Sequence, residues 1–441
     1  MANSYLQRTP SGAGNRKTFT ISCWLKRSKI SYAYSMFYTA GTYNSTTMSQ
    51  LYFGSDDQLY FGSWESNGSD NHYITTNRVF RDTNAWYNIV VAVDTTQATA
   101  ANRVKIYVNG TQETSLDISN NYPAQNHDYS FNSTLVHNIG RRQDLASSYH
   151  EGYLSHVVMV DGQALAPTVF GETDSTSGIW KFKSPSGVTW GTNGFHLKFE
   201  NSAALGTDSS GNTNTFTVNG NLKQTIDTPS NVYPTWNANL RPNSTASFAH
   251  GNLKQTTNSS HQDSVTASGF STFGMTKGKW YAEFKVNAVN WTMLGVSCDL
   301  QMNQQGGSSS MYNFIYNNKG FAYYSVNGNC YHTNSSTSVS YGNSYTTNDI
   351  IGIALDLDNK KLYFSKNGVW QDSGDPTSGA TGTGSAFTLA SPSSTDDGAY
   401  FFACSDDNIY AEQRIAWNFG NGDFSGNGIT SAGTNASGNG I

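Results

Sequence analysis

The sequence predicts an all-β protein of two tandem antiparallel sandwiches, and three observations carry that prediction. Charged residues make up only 13% of the 441 positions, while Gly reaches 42 and Asn, Ser and Thr are abundant, so the surface is polar through amides and hydroxyls. Aromatic residues also reach 13%, led by 26 Tyr and 23 Phe, a mixture of strand formers with turn formers. Short apolar segments recur through the chain between Asn, Gly, Asp and Ser clusters, and none sustains a helical period. The length suits two domains of about 150 to 200 residues each.

Taken in order, KTFTISCWLKRS from Lys17 alternates Phe19, Ile21, Cys23 and Leu25 with polar neighbours, the pattern of a half-buried strand. QLYFGSDDQLYFGSW follows with the spacing of sandwich strands. Trp86 to Val93 is apolar almost throughout and reads as a central strand; Arg103 to Val108 leads into the tight-turn pair Asn109-Gly110, and the two runs should pair. The same phrase returns as Asn348 to Asp356, then Lys361 into Asn367-Gly368, which fits two domains sharing one architecture. Between them, residues 201–245 are rich in Gly, Asn, Ser and Thr, carry Pro229, Pro234 and Pro242, and are expected to connect the domains. GNLKQT occurs at both 220–225 and 251–256, as a local duplication or a coincidence of composition. The last residues, 425–441, offer almost nothing apolar to bury. The expected division is a sandwich over 1–200, a connection over 201–245, a sandwich over 246–424 and a tail over 425–441.

A net charge of -5, with no Lys/Arg cluster longer than Arg141-Arg142, gives no run of cations for phosphates and argues against nucleic acid. No stretch approaches eighteen consecutive apolar residues, so membrane insertion is not expected, and the start lacks the apolar centre of a signal peptide, which points to synthesis in a cytoplasm. Cys23, Cys298, Cys330 and Cys404 have no zinc or disulfide-framework spacing and are expected as buried thiols, with one pair among the last three still open to bonding.

Through FTISCWLKRS, AWYNIVVAVD, RVKIYVNGTQ and YHEGYLSHVVMVDGQALAPTVFGE, the first 200 residues resemble the laminin-G-like or concanavalin-like jelly-roll superfamily. Residues from about 246 to 424 resemble a SPRY domain through GKWYAEFKV, LGVS, DIIGIALDLDNKKLYFSKNGVW and NFGNGDF. The resemblances imply two concanavalin-like sandwiches, each of two sheets packed face to face, used for binding. The pairing of such domains, NSYLQRTPSGAGNRKTFTISCWLKRS at the start and DSSGNTNTFTVNGNLKQTIDTPSNVYPTWN in the connection resemble structural proteins of tailed phages, especially those infecting marine cyanobacteria. That implies a location in the virion. Laminin-G-like sandwiches often hold calcium at the rim, and Asp70, Asp94, Asp128 and Asp144 stand in suitable loop contexts without a spacing code; no other cofactor is implied.

The catalytic patterns of such sandwiches are absent from the sequence. Glucan-cleaving relatives need carboxylates at alternate positions of one strand, as in Glu-x-Asp-x-Glu, and no such run exists. The nearest pair, Asp356 and Asp358, reads as the polar end of a hairpin. His150-Glu151 would need a second His where Leu154 stands. The chain is therefore expected not to be an enzyme. Sugar sites combine an aromatic face with amides and carboxylates, and the candidate set is Trp291, Tyr312, Tyr331, His332, Tyr341 and Trp370, read as loop aromatics; Trp280, Phe284, Tyr363 and Phe364 are expected in the core. The leading expectation is a virion fibre or surface protein that binds host-surface polysaccharide, contacts other virion proteins and gains avidity as a homo-oligomer, plausibly a trimer. Two readings stand beside it: an architectural cement protein, and a polysaccharide depolymerase with a site formed between subunits.

Overall fold

In the computed structural model the described residues are 4–421 apart from 44–46, 66–70, 119–121, 146–147, 241–245, 258–267, 301–313, 316–318, 333–337 and 407–410. They form strands joined by turns and short 3-10 segments, with no α-helix among them, and every strand pairing is antiparallel. The expected all-β sandwich architecture is the observed one. Two compact units divide between Val232 and Tyr233. The tail over 425–441 lies outside the described residues.

The first unit packs an eight-stranded sheet on a six-stranded one. The larger sheet runs in the order Leu116–Asp117, His72–Val79, Gln58–Glu65, Thr47–Phe53, Ser35–Gly41, His137–Ile139, Tyr5–Arg8, Thr217–Asn219. The smaller runs Phe195–Leu197, Gly152–Asp161, Thr18–Arg27, Trp86–Asp94, Val104–Val108, Thr111–Gln112. Because strand side chains alternate between faces, Phe19, Ile21, Cys23 and Leu25 meet Leu51, Phe53, Leu59 and Phe61 in one core. Trp86–Asp94 and Val104–Val108 pair as expected, and Asn109 and Gly110 both adopt the positive φ, 48° and 80°, that a tight hairpin needs.

The outer face of the six-stranded sheet is itself covered. Val90, Val158 and Val160 pack under Phe170, with Leu165, Val188 and Trp190 at the margin. Lys26, pointing away from the main core, is fully buried in an ion pair with Asp227 at 2.8 Å, and Trp86 Nε1 donates to the other carboxylate oxygen at 2.9 Å. Desolvation holds the Lys26 ammonium below the usual lysine range, and the Asp227 charge opposes that shift.

The second unit likewise has two sheets. One contains Ser247–Ala249, Lys254–Thr256, Arg414–Asn418, Lys279–Ala288, Ile350–Asp356, Lys361–Lys366 and Val369–Trp370 in that order, with Phe387–Thr388 paired to Lys361–Lys366. The other contains Ser268–Phe270, Phe401–Asp406, Thr292–Ser297, Gly320–Tyr324, Asn329–His332 and Ser338–Ser340. Phe284, Leu294, Val296, Ile351, Ile353, Phe364 and Trp417 lie in the core between them.

Residues 201–245 differ from a free connection. Phe216 is buried in the first core, Thr217–Asn219 extends the eight-stranded sheet beside Tyr5–Arg8, and Asp227 makes the buried ion pair. Trp236 is fully buried in the second core. The composition is that of a linker because these residues work through backbone pairing and isolated side-chain contacts, which leave no apolar period. All four cysteines are buried free thiols, so no pair among Cys298, Cys330 and Cys404 is bonded.

Candidate functional site

The outer face of the eight-stranded sheet carries an unusual set of side chains. Leu51, Phe53, Leu59, Phe61 and Ile74 enter the core, so alternation sends Gln50, Tyr52, Tyr60, Gly62 and Tyr73 outward. Register places Tyr73, Gly62, Gln50, Thr39, Asn138 and Gln7 opposite one another on six successive strands. A polar row thus crosses the sheet at one level.

Within the row, Gln50 Nε2 donates to the Tyr73 hydroxyl at 2.7 Å, and Gln7 Nε2 donates to Asn138 Oδ1 at 3.0 Å and Gln143 Oε1 at 3.1 Å. Gly62 has no room for a side chain: a Cβ there would run into the backbone carbonyl of His72 and stand 2.7 Å from Tyr73 Cδ1. Gln50 is only 3% exposed, and its Oε1 has no hydrogen-bond partner among the described residues. A buried acceptor without a donor costs about 1–3 kcal/mol.

Aromatic rings flank the row on both sides. On one, Tyr34, Tyr52 and Tyr60 form a ladder with centroids 5.7 and 4.9 Å apart, and the Tyr60 hydroxyl donates to Asp56 at 2.6 Å. On the other, Tyr43 stacks on Trp64 at 4.0 Å. The Arg142 guanidinium lies 4.6 Å from the Tyr43 ring and 5.7 Å from Tyr34, joining the flanks by cation–π contact. Asp144 takes Arg142 in a two-bond fork, both bonds 2.9 Å. Burial pushes the Tyr73 phenol up to about 12, and burial together with Asp56 does the same for Tyr60, so both keep their protons and can donate.

Among the described residues, the aromatics expected to form a site in the second unit do not converge. Tyr341 is corrected to a core residue: it is 6% exposed, its hydroxyl donates to the Gly384 carbonyl at 3.1 Å and accepts the Phe364 N–H at 3.2 Å, and its ring meets Tyr323 and Phe364. Tyr331 and His332 belong to the strand Asn329–His332 and not to a loop. Tyr331 packs against Tyr324 on the outer face, while His332 stacks on Phe321 at 4.1 Å and uses Nδ1 toward the Gly320 carbonyl. Trp370 ends the short strand Val369–Trp370, 6.2 Å from the Tyr281 ring. Trp291 is half exposed with a positive φ of 39°. Tyr312 lies outside the described residues. Of the expected core aromatics, Phe284, Tyr363 and Phe364 are fully buried, while Trp280 is partly exposed.

Two of the four loop aspartates are hydrogen-bonded through their carboxylates. Asp94 accepts from Thr96 and Gln97, and Asp144 from Arg142, while Asp70 lies outside the described residues. Among the described residues no three His, Cys, Asp or Glu side chains gather as metal ligands, Asp128 included.

Comparison with known proteins agrees with the geometry. Residues 2–169 match the concanavalin A-like lectin/glucanases superfamily, and residues 279–403 match the SPRY domain. The chain thus carries a concanavalin-like jelly-roll domain over the first match and a SPRY-type one over the second. No curated protein matches it. Among solved structures, the SPRY domain of human HERC1 shares 17% identity over 41% of this chain and 96% of that one, with a TM-score of 0.29. Another human SPRY domain shares 12% identity over 40% and 95%, with a TM-score of 0.29. The heptameric SAP-like pentraxin of Limulus polyphemus shares 19% over 42% and 82%, with a TM-score of 0.30.

The aromatic face of the concanavalin-like domain was nonetheless written in its sequence. QLYFGS stands twice, at 50–55 and 58–63, and its alternation sends Leu and Phe inward and Gln and Tyr outward on two paired strands. Gln7 and Asn138 join them through strand pairings, and Arg142 through ring contacts, with partners about a hundred residues away or more, which leave no local signal.

Proposed function

We propose that this chain is a carbohydrate-binding protein that holds sugar on the outer face of the eight-stranded sheet of its first domain. The observation that carries the reading is Gln50: a buried amide whose oxygen has no partner among the described residues, set between the ladder Tyr34, Tyr52, Tyr60 and the stack Tyr43, Trp64. Pyranose rings present an apolar C–H surface to such rings and hydroxyl donors to such a carbonyl. Asp56 and Asp144 are engaged by Tyr60 and Arg142, which supports binding without bond cleavage. In this reading the chain is a virion surface or fibre component that contacts other virion proteins, adsorption to host polysaccharide is its role, and homo-oligomerisation multiplies weak sites.

A glycan array probed with the full chain tests the reading, with sugar release assayed on the same material. Binding that falls on Tyr60→Ala and Trp64→Ala supports it. An array with no binding, or binding indifferent to both substitutions, refutes the site; released oligosaccharide refutes the non-enzymatic role.

A further inference from the structure

The opposite sheet of the first domain carries a hollow of about 370 Å³, lined by Ala92, Asp94, Gln97, Asn102, Lys105 and Tyr107 and walled by residues 164–166. Its floor follows from strand register. Ala92 faces Lys105 across the pair Trp86–Asp94 and Val104–Val108, and its single methyl leaves a depression between the longer Lys105 and Tyr107 side chains. The Tyr107 ring stays partly exposed at the margin of the apolar cluster around Val90 and Phe170. Ala164, Leu165 and Ala166 add apolar surface on the far wall.

The polar groups divide into spent and unspent. Asp94 is spent: it accepts from the Thr96 N–H at 3.1 Å, the Thr96 hydroxyl at 2.6 Å, Gln97 Nε2 at 2.6 Å and the Thr18 hydroxyl at 3.4 Å. Those bonds keep it ionised, since they hold its pKa below the usual carboxylate value against the opposing effect of burial. Lys105 forms no ion pair with a described carboxylate, and the Tyr107 hydroxyl and the Asn102 side-chain amide make no hydrogen bond to a described residue. One ammonium, one phenol and one amide therefore converge on a hollow with an apolar floor.

We propose that this hollow binds a single hexuronate, an acidic sugar unit whose carboxylate pairs with Lys105 while its hydroxyls meet Asn102 and Tyr107 and its C–H face lies on the Tyr107 ring. The volume falls at the small end of ligand pockets, about 300–1,000 Å³, and suits one ring better than a chain. Lys105, the cation among the residues that line the hollow, selects an anionic ligand, and the ionised Asp94 disfavours a dianion such as a sugar phosphate. The site is separate from the Gln50 face and does not depend on it.

Isothermal titration of the full chain with sodium D-glucuronate, D-glucose and glucose 6-phosphate provides the test, each with the parent, Lys105→Ala and Lys105→Arg proteins. The expected result is glucuronate binding at least tenfold tighter than either other sugar, lost in Lys105→Ala and largely restored in Lys105→Arg. Equal affinity for glucose and glucuronate, glucuronate binding that survives Lys105→Ala, tighter binding of the phosphate, or no glucuronate binding by the parent overturns the proposal.

Discussion

Replacing Gln50 by methionine should stabilise the free protein, or leave it unchanged, while it weakens sugar binding. Methionine keeps the unbranched length of the side chain and removes both polar atoms. The unpartnered Oε1 costs about 1–3 kcal/mol in the folded state, and its removal returns that amount. The lost Nε2 bond to the Tyr73 hydroxyl contributes about 0.5–1.5 kcal/mol, part of which water recovers because Tyr73 is partly exposed. The balance is a change between zero and about +2 kcal/mol. For a unit of 232 residues that is a Tm rise of roughly 0–8 °C, at about 2–4 °C per kcal/mol. In the complex the signs reverse: a sugar hydroxyl loses its acceptor in a desolvated position, and affinity drops roughly tenfold to a hundredfold. Differential scanning calorimetry of the free protein and titration with the best sugar from the array measure the two effects. A Tm that falls by several degrees with affinity intact would refute the reasoning, since Gln50 would then be a structural residue.

Three further outcomes follow from the same structure. Asp227→Ala removes the carboxylate of the fully buried pair with Lys26 and should cost about 3–5 kcal/mol, seen as a lower urea midpoint for the first unit; a neutral effect would mean that the 201–232 segment is dispensable. Trp291→Ala, at a half-exposed position, should shift stability by less than about 0.5 kcal/mol in a thermal melt. Burial depresses the pKa of His137 to about 4 against about 6.5 in an unfolded chain, so its contribution is complete above pH 6.5 and fades as pH falls to 4. That amounts to roughly 3 kcal/mol, and His137→Gln should flatten the decline of Tm across this window.

Local alternation and turn chemistry made much of the fold legible. Asn109-Gly110 and Asn367-Gly368 mark hairpins because both residues of each pair take positive φ, a conformation that other residues resist. The strands they join follow from period-two patterns that one-sided burial imposes. The candidate site was half legible: its central hairpin shows in the repeated QLYFGS, but the loop aromatics chosen in the second half were not a cluster. Tyr341 reads as a loop residue between Ser340 and Gly342, yet the Gly384 and Phe364 backbone groups that satisfy its hydroxyl draw it into the core.

The repeated hexapeptide GNLKQT separates what the chain determines locally from what its tertiary structure decides. At 220–225 it is irregular, with Gln224 donating to the Phe199 carbonyl, whereas at 251–256 its last three residues form Lys254–Thr256, paired with Arg414–Asn418, and Gln255 is fully buried. Six identical residues carry identical propensities; only the second copy finds an open strand edge to pair with. The amino-acid order by itself determined an all-β chain, its hairpins and the inward and outward faces of its strands, because those depend on neighbours two to ten residues away. The row Tyr73, Gln50, Thr39, Asn138 and Gln7, the burial of Lys26 on Asp227 and the place of residues 201–232 in the first unit were decided by partners up to 201 residues apart, which only the closed sheets bring together.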